Sequence, residues 1–442
     1  MNVSDGRLTR GPEIYPKNSS FAGLIAGLIG LVVVLAAFWM WSQPASLALV
    51  IAPIMTVIIA LWVPNARLVA VVAFLNYPYA QGAYIAAQNG ITFFPRPPLS
   101  SYEFVAHEQT LTLFFALGIS LLSGVAQAFQ RAAASGWQNF QSFGLEGVAS
   151  MGKNLALVFA VAIIVGLHDA TFLVANLGAV LSSGRHTFRD EFWVGNGPFG
   201  IVLALVIGLI LLLTAIGIQR YRVQAAIALA IFWMPSLVAG SRNYFSVLML
   251  GALCAALFAI KSRSNRSLVL LGAATGIAAF AWLPTLWSSN DLVGFNEWIL
   301  PTSSYLPLAL GLFTVEGLGA TPMAHQWALL LPGPLRPFSV HLYAEAFADS
   351  KFTNVGVAGN PWSDAYDPHL MSRVLVFALA FVGIFLLASI LRRVHAVIPF
   401  LAFGLMAFWG RSVFWNTAVI LVYAAVMLRL FVPLKLNGDS KS

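Results

Sequence analysis

Apolar runs of about twenty residues, separated by short polar or proline-containing breaks, recur along the chain from Phe21 to Leu430. A bilayer core of about 30 Å takes about 20 mostly apolar helical residues. On that ruler the pattern predicts helices near 21–41, 45–63, 68–87, 109–129, 154–175, 198–217, 223–239, 245–260, 268–287, 373–391, 395–410 and 412–430. The first run, Phe21 to Trp41, is too long for the apolar core of a cleaved signal peptide. It is followed at once by Gln43, Pro44 and a second apolar run, so it reads as a retained helix. The expected fold is an all-α polytopic bundle of about twelve transmembrane helices, one domain over residues 1–442.

The breaks are unequal. Residues 88–108 and 183–197 read as medium loops, and 288–371 as one long loop within the domain. A disordered linker is polar and poor in aromatics. This loop carries Trp298, Tyr305, Phe313, Trp327, Tyr343 and Trp362 among others, so it is expected to fold over the membrane surface. Within it, Tyr305 to Ala320 is apolar enough for a further span, but Pro307 and Glu316 interrupt it and favour an interfacial or re-entrant helix. On the other side, residues 130–152 set Trp137, Phe140 and Phe143 among small and polar residues, the pattern of an amphipathic helix lying in the membrane plane. No internal repeat is visible.

Composition agrees with the pattern and adds orientation. Apolar residues make up 59% of the 442 and charged residues only 9%, where a soluble surface needs roughly a quarter. The net charge of +8 is the signature of membrane insertion rather than of nucleic-acid binding. With the N-terminus in the cytoplasm, sixteen of the 24 basic residues fall on the inner side, led by Lys261, Arg263, Arg266, Arg392 and Arg393 in short loops. An even number of spans returns the C-terminus to the cytoplasm and puts 288–371 outside. Cys254 is the single cysteine, which excludes an intramolecular disulfide and a cysteine-based metal site.

The candidate chemistry lies on the outer side. Two tight hairpins each place an arginine beside a glycine at the headgroup boundary: Arg242 after Gly240 and Ser241, and Arg411 after Gly410. A guanidinium there runs against the insertion bias. It offers a planar fork suited to phosphate oxygens, and anion binding is the reading preferred over snorkelling to lipid headgroups. His168 and Asp169 fall inside the fifth predicted span. Adjacent helix positions point about 100° apart, so the pair is not expected to form a dyad by itself. A role in function and simple hydrogen bonding to neighbouring helices both remain open for it.

The long loop offers His341 and Glu345, one helical turn apart, together with Arg336, Asp364, His325, Asp349, Asp367 and His369. Glu345 is the first candidate for a general base because His341 can orient it; its alternative is an ion pair with Arg336. No HExxH, acidic cation cluster, P-loop, GxSxG or Rossmann fingerprint is present, so neither a metal nor another cofactor is expected.

The layout resembles the bacterial O-antigen and exopolysaccharide polymerases of the Wzy type and the related O-antigen ligases. The resemblance rests on Gly240, Ser241 and Arg242 at the outer end of a middle span. It rests also on the long late loop and on the segment Gly356 to Tyr366 (GVAGNPWSDAY), with Asp364 where the family more often has Glu. It implies an enzyme of the bacterial inner membrane, with both termini cytoplasmic, that acts on glycans carried by undecaprenyl diphosphate at the outer face. Arg242, Arg411 and Arg336 would bind the diphosphate, and Glu345, His341 or Asp364 would take the acceptor's proton. Membrane lipid and the lipid-linked glycan are the implied partners, with a chain-length regulator or a flippase as candidate protein partners and no nucleic acid. A ligase acting on lipid A–core is the alternative within the class, and a transporter of lipid-linked oligosaccharide the alternative outside it.

Overall fold

The computed structural model describes residues 19–88, 99–142, 148–183, 192, 197–238, 247–251, 370–407 and 414–432. Among them the chain is all-helical, with no strand. Twelve α-helices are assigned: α1 Ser19–Trp41, α2 Ala45–Trp62, α3 Arg67–Gln88, α4 Leu99–Leu122, α5 Val125–Ser142, α6 Val148–Ala175, α7 Leu177–Ser183, α8 Gly197–Gly217, α9 Arg222–Val238, α10 Leu370–Leu391, α11 Ile398–Ala407 and α12 Phe414–Phe431. Val247 to Gly251 is also helical.

By length and composition three of these segments can cross a membrane, Phe21–Trp41, Ala45–Trp62 and Asn154–Ala175; a bent pair, Ala106–Leu122 with Val125–Gly136, makes a fourth. Their outer faces are aliphatic and aromatic. Phe21, Leu24, Val32, Trp62, Ile164 and Val174 are each more than half exposed, a surface that suits lipid and not water. The predicted helices at 268–287 and most of 245–260 lie outside the described residues, as does the long loop 288–371 except for its last two residues, which open α10.

Two expectations change in the region of α4 and α5. Residues 99–108, read as loop, are helical, and α4 starts at Leu99. The span expected to run to residue 129 ends at Leu122. There Ser123 and Gly124 turn the chain through 78°, and Gly124 takes φ +71°, which costs a residue without a Cβ almost nothing. The amphipathic helix therefore begins at Val125 and not at 130. Its apolar stripe is Val125, Ala126, Phe129, Ala132, Ala133 and Gly136, spaced by three and four and fully buried. That stripe packs on α3, α10 and α11, with the Phe129 and Phe385 rings 4.6 Å apart. The protein itself, and not the bilayer interior, covers it.

One group of helices, α1 to α4, packs together with α10 against α4; a second joins α6, α8, α9 and α12. The two are knit by α10 and α11, which touch members of both groups. Val247 and Gly251 lie against Gly404 and Phe400 of α11, and Leu248 lies against Gly208 of α8.

Side-chain contacts fix the sense of each helix. At one end Leu68 N–H donates to Gln130 Oε1, Arg392 to Ser135 Oγ and Asn154 to the Phe431 carbonyl. At the other, His107 meets the Met40 carbonyl, Gln81 the Leu49 carbonyl, and Val238 packs on the cluster of Leu173, Val180 and Phe192. Eight of the nine described basic residues, all but Arg373, lie at the first end, which we call the basic end. The described carboxylates, Glu103, Glu108 and Asp169, lie towards the other.

Prolines inside helices, here Pro53, Pro78 and Pro235, leave a carbonyl four residues earlier without its donor. Pro53 releases Leu49, whose carbonyl accepts from Gln81 Nε2 at 3.4 Å. Pro235 releases Ile231, whose carbonyl lies against Gly166 of α6; a Cβ at 166 would stand 2.5 Å from that oxygen. In a membrane a donor such as Gln81 is what lets a broken helix persist.

Candidate functional site

The six residues expected to carry the chemistry, Arg242, Arg336, His341, Glu345, Asp364 and Arg411, all lie outside the described residues. The helices that lead to two of them are described. Val247, the first described residue of its helical stretch, lies five positions after Arg242, and Gly404 lies in α11 seven positions before Arg411. The Val247 carbonyl occupies the space a Cβ at position 404 would fill, so the two backbones touch there. Asn76 of α3 steadies the same part of α11, donating from Nδ2 to the Val72 carbonyl of its own helix at 2.8 Å and to the Met406 carbonyl at 2.9 Å.

The His168 and Asp169 pair departs from expectation. His168 Nδ1 and Asp169 Oδ1 are 3.2 Å apart, so the neighbours do bond to each other. The reason lies in their environments: Asp169 is fully buried, while the His168 side chain is 49% exposed. The imidazole therefore folds back onto its neighbour's carboxylate. An ionised carboxylate can only accept, so in this bond Nδ1 is the donor and Asp169 Oδ1 the acceptor. Asp169 stands one turn beyond Gly166, and Gly166 packs on Ile231 and Phe232. That places the pair beside the last turns of α9, the helix that leads to Arg242.

A second polar set was missed by assigning 88–108 to a loop. In α4, Glu108 is 1% exposed and Gln109 3%, and Thr110 and Thr112 close onto the carbonyls four residues back. His107, half-buried, reaches the Met40 carbonyl at 3.3 Å. The available signal was the absence of any Gly or Pro from Leu99 to Leu117, which leaves the helix nowhere to start later. Nearby, the Tyr77 hydroxyl and Thr56 Oγ1 share a bond of 2.9 Å between α2 and α3. A carboxylate buried among helices is costly and functional by default.

The described residues thus offer a carboxylate-held imidazole and a buried glutamate, groups able to accept and pass protons. Among them no three His, Cys, Asp or Glu side chains stand close enough to hold a metal ion. No family model matches the chain, and neither a curated protein nor a solved structure matches it at a significant level.

Proposed function

We propose that this protein is a membrane glycosyltransferase of about twelve spans that polymerises oligosaccharide repeat units carried on undecaprenyl diphosphate at the outer face of the bacterial inner membrane. In this reading an acceptor hydroxyl attacks the anomeric carbon of the donor glycan. The anomeric C–O bond breaks, and the lipid diphosphate leaves with the bonding pair. Arg242, Arg411 and Arg336 hold the diphosphate through charge-assisted hydrogen bonds. Glu345, or His341 or Asp364 in its place, takes the hydroxyl proton. The basic end of the bundle is cytoplasmic, in keeping with the excess of Lys and Arg on that side.

The observation that carries the proposal is the contact of Gly404 with Val247. Chain of five and seven residues spans at most about 18 and 25 Å, so tethers to touching helices allow the two arginines to meet one diphosphate. The test is the purified protein in detergent with a lipid-linked repeat unit. Longer glycans should appear without added nucleotide sugar or metal. Arg242→Ala and Arg411→Ala should abolish extension, and the Lys variants, which keep charge but lose the fork, should impair it less. Glu345→Gln should stop extension while lipid-linked substrate still binds. Full extension by well-inserted alanine variants of both arginines would remove the anion site from these positions.

A transporter of lipid-linked oligosaccharide is the second reading, favoured by Glu108 and Asp169, buried carboxylates inside helices. It predicts movement of labelled lipid-linked glycan across vesicles that hold the protein, with no change in glycan length.

A further inference from the structure

The basic end carries a surface that the proposed reaction does not use. Helix α5 lies across that end, and arginines of two other segments gather on it beside its own Arg131. Leu68 N–H donates to Gln130 Oε1 at 3.2 Å, which brings the neighbouring residues Arg67 and Arg131 to the same stretch of α5. One turn further on, Arg392 Nη1 donates to Ser135 Oγ at 3.0 Å, and Arg393 follows it on the exposed side. Arg67, Arg131 and Arg393 are exposed and Arg392 is half-buried. None of the four has an acidic partner among the described residues, whose three carboxylates all lie towards the opposite end.

The surroundings say what kind of anion suits this surface. Leu61 and Trp62, which close α2 just before Arg67, are 67% and 81% exposed, and Leu122 at the α4 bend is 45% exposed. Aliphatic side chains, an exposed indole and guanidinium groups with no carboxylate beside them among the described residues together fit the boundary between acyl chains and headgroups. A soluble anion has no use for the apolar part. A phospholipid has use for both, since its phosphodiester meets the arginine forks and its chains meet Leu61, Trp62 and Leu122.

We infer that the α5 face bordered by Arg67, Arg131, Arg392 and Arg393 is a binding surface for anionic phospholipid headgroups at the basic end of the bundle. The in-plane helix sets the spacing: residues 130 to 135 span about 7.5 Å, so neighbouring guanidinium groups can share one phosphate. This inference stands apart from the glycosyltransferase reading and survives its failure.

The experiment is native mass spectrometry of the full chain released from detergent, with equal amounts of phosphatidylglycerol and phosphatidylcholine as probes. Wild type should retain phosphatidylglycerol at least fivefold over phosphatidylcholine, less so as salt is raised. Arg131→Gln with Arg393→Gln removes two exposed charges that make no described hydrogen bond, and should bring that preference close to one. Arg131→Lys with Arg393→Lys should restore most of it. Arg220→Gln, at the remote α8–α9 turn where Arg220 stacks on Tyr221, should leave it unchanged. Circular dichroism and gel filtration check that each variant is folded. No preference in wild type, an unchanged preference in the double Gln variant, or an equal loss in Arg220→Gln would each overturn the inference.

Discussion

The two ends of the bundle differ in how they use charge to hold their helices. At the basic end, charged side chains close the turns. Arg67 Nε donates to the Ala60 carbonyl at 3.0 Å, and Arg222 Nε to the Ala215 carbonyl at 3.2 Å. In each case an arginine opening one helix satisfies a carbonyl in the last turn of the helix before it, across a single 3-10 turn. Both orphan acceptors and the negative end of the helix dipole are met by one guanidinium. At the opposite end, uncharged amides and an imidazole do this work inside the helices, on the carbonyls of Leu49, Met406 and Met40. Neutral donors serve at both ends, Asn154 on the Phe431 carbonyl at the basic end included, whereas charge is used only where water and headgroups can share it.

The strongest way to break this comparison is at the seam between the groups. Gly404→Leu drives a side chain into the Val247 carbonyl. It should cost about 3 kcal/mol or more, read as a large drop in thermal stability and in monodisperse yield. Gly166→Leu should behave alike, because Ile231 blocks the space there.

Next comes acid. His395, in the turn between α10 and α11, is 2% exposed; burial, helped by Arg429, pushes its pKa down to about 4. The folded protein then refuses a proton that the unfolded chain accepts near pH 6.5. Stability present above that pH is lost as pH falls from about 6.5 to about 4, by roughly 3 kcal/mol at most. Thermal unfolding at pH 7 and pH 4.5 measures it. His395→Leu should flatten the difference, and an equal difference in that variant would assign the effect elsewhere.

Smaller effects sharpen the contrast. Arg67→Met and Arg222→Met should each cost about 0.5–1 kcal/mol, and their sum should hold in the double variant because the two turns share no partner. Gln81→Leu should cost about 0.6 kcal/mol. The arginine effects should shrink at high salt and the glutamine effect should not.

Much of the fold was legible because lipid makes the pattern simple. The runs at 21–41, 45–63, 68–87, 198–217 and 223–239 match α1, α2, α3, α8 and α9 to within a residue or two. The start of α4 was hidden because Ser100, Glu103, His107 and Glu108 look like loop residues when hydropathy alone is read; Glu108 is tolerated because neighbouring helices enclose it, and Glu103 and His107 are half-buried. The bend at Gly124 was hidden for a different reason. A glycine in an apolar helix reads the same whether it is packed or left-handed, and only the tertiary fit of α5 decides. The His168 and Asp169 bond escaped a rule about ideal directions, since one side chain was free to fold back and the other was not. Arg242 and Arg411 stood out by breaking the charge bias, a signal that marks positions without giving their distance.

One bond has a consequence in time. Asn76 and the Met406 carbonyl are 330 residues apart. At synthesis rates of about 5–20 residues per second, roughly 15 to 65 s pass between the making of the two. During that interval the bond to the Met406 carbonyl cannot form, while the bond to the Val72 carbonyl of the same helix can. The α1–α4 group must therefore persist as an unfinished assembly until α10 and α11 arrive to close it. A chain stopped after residue 251 should expose that amide, making the half-built bundle the species most open to wrong partners or proteolysis.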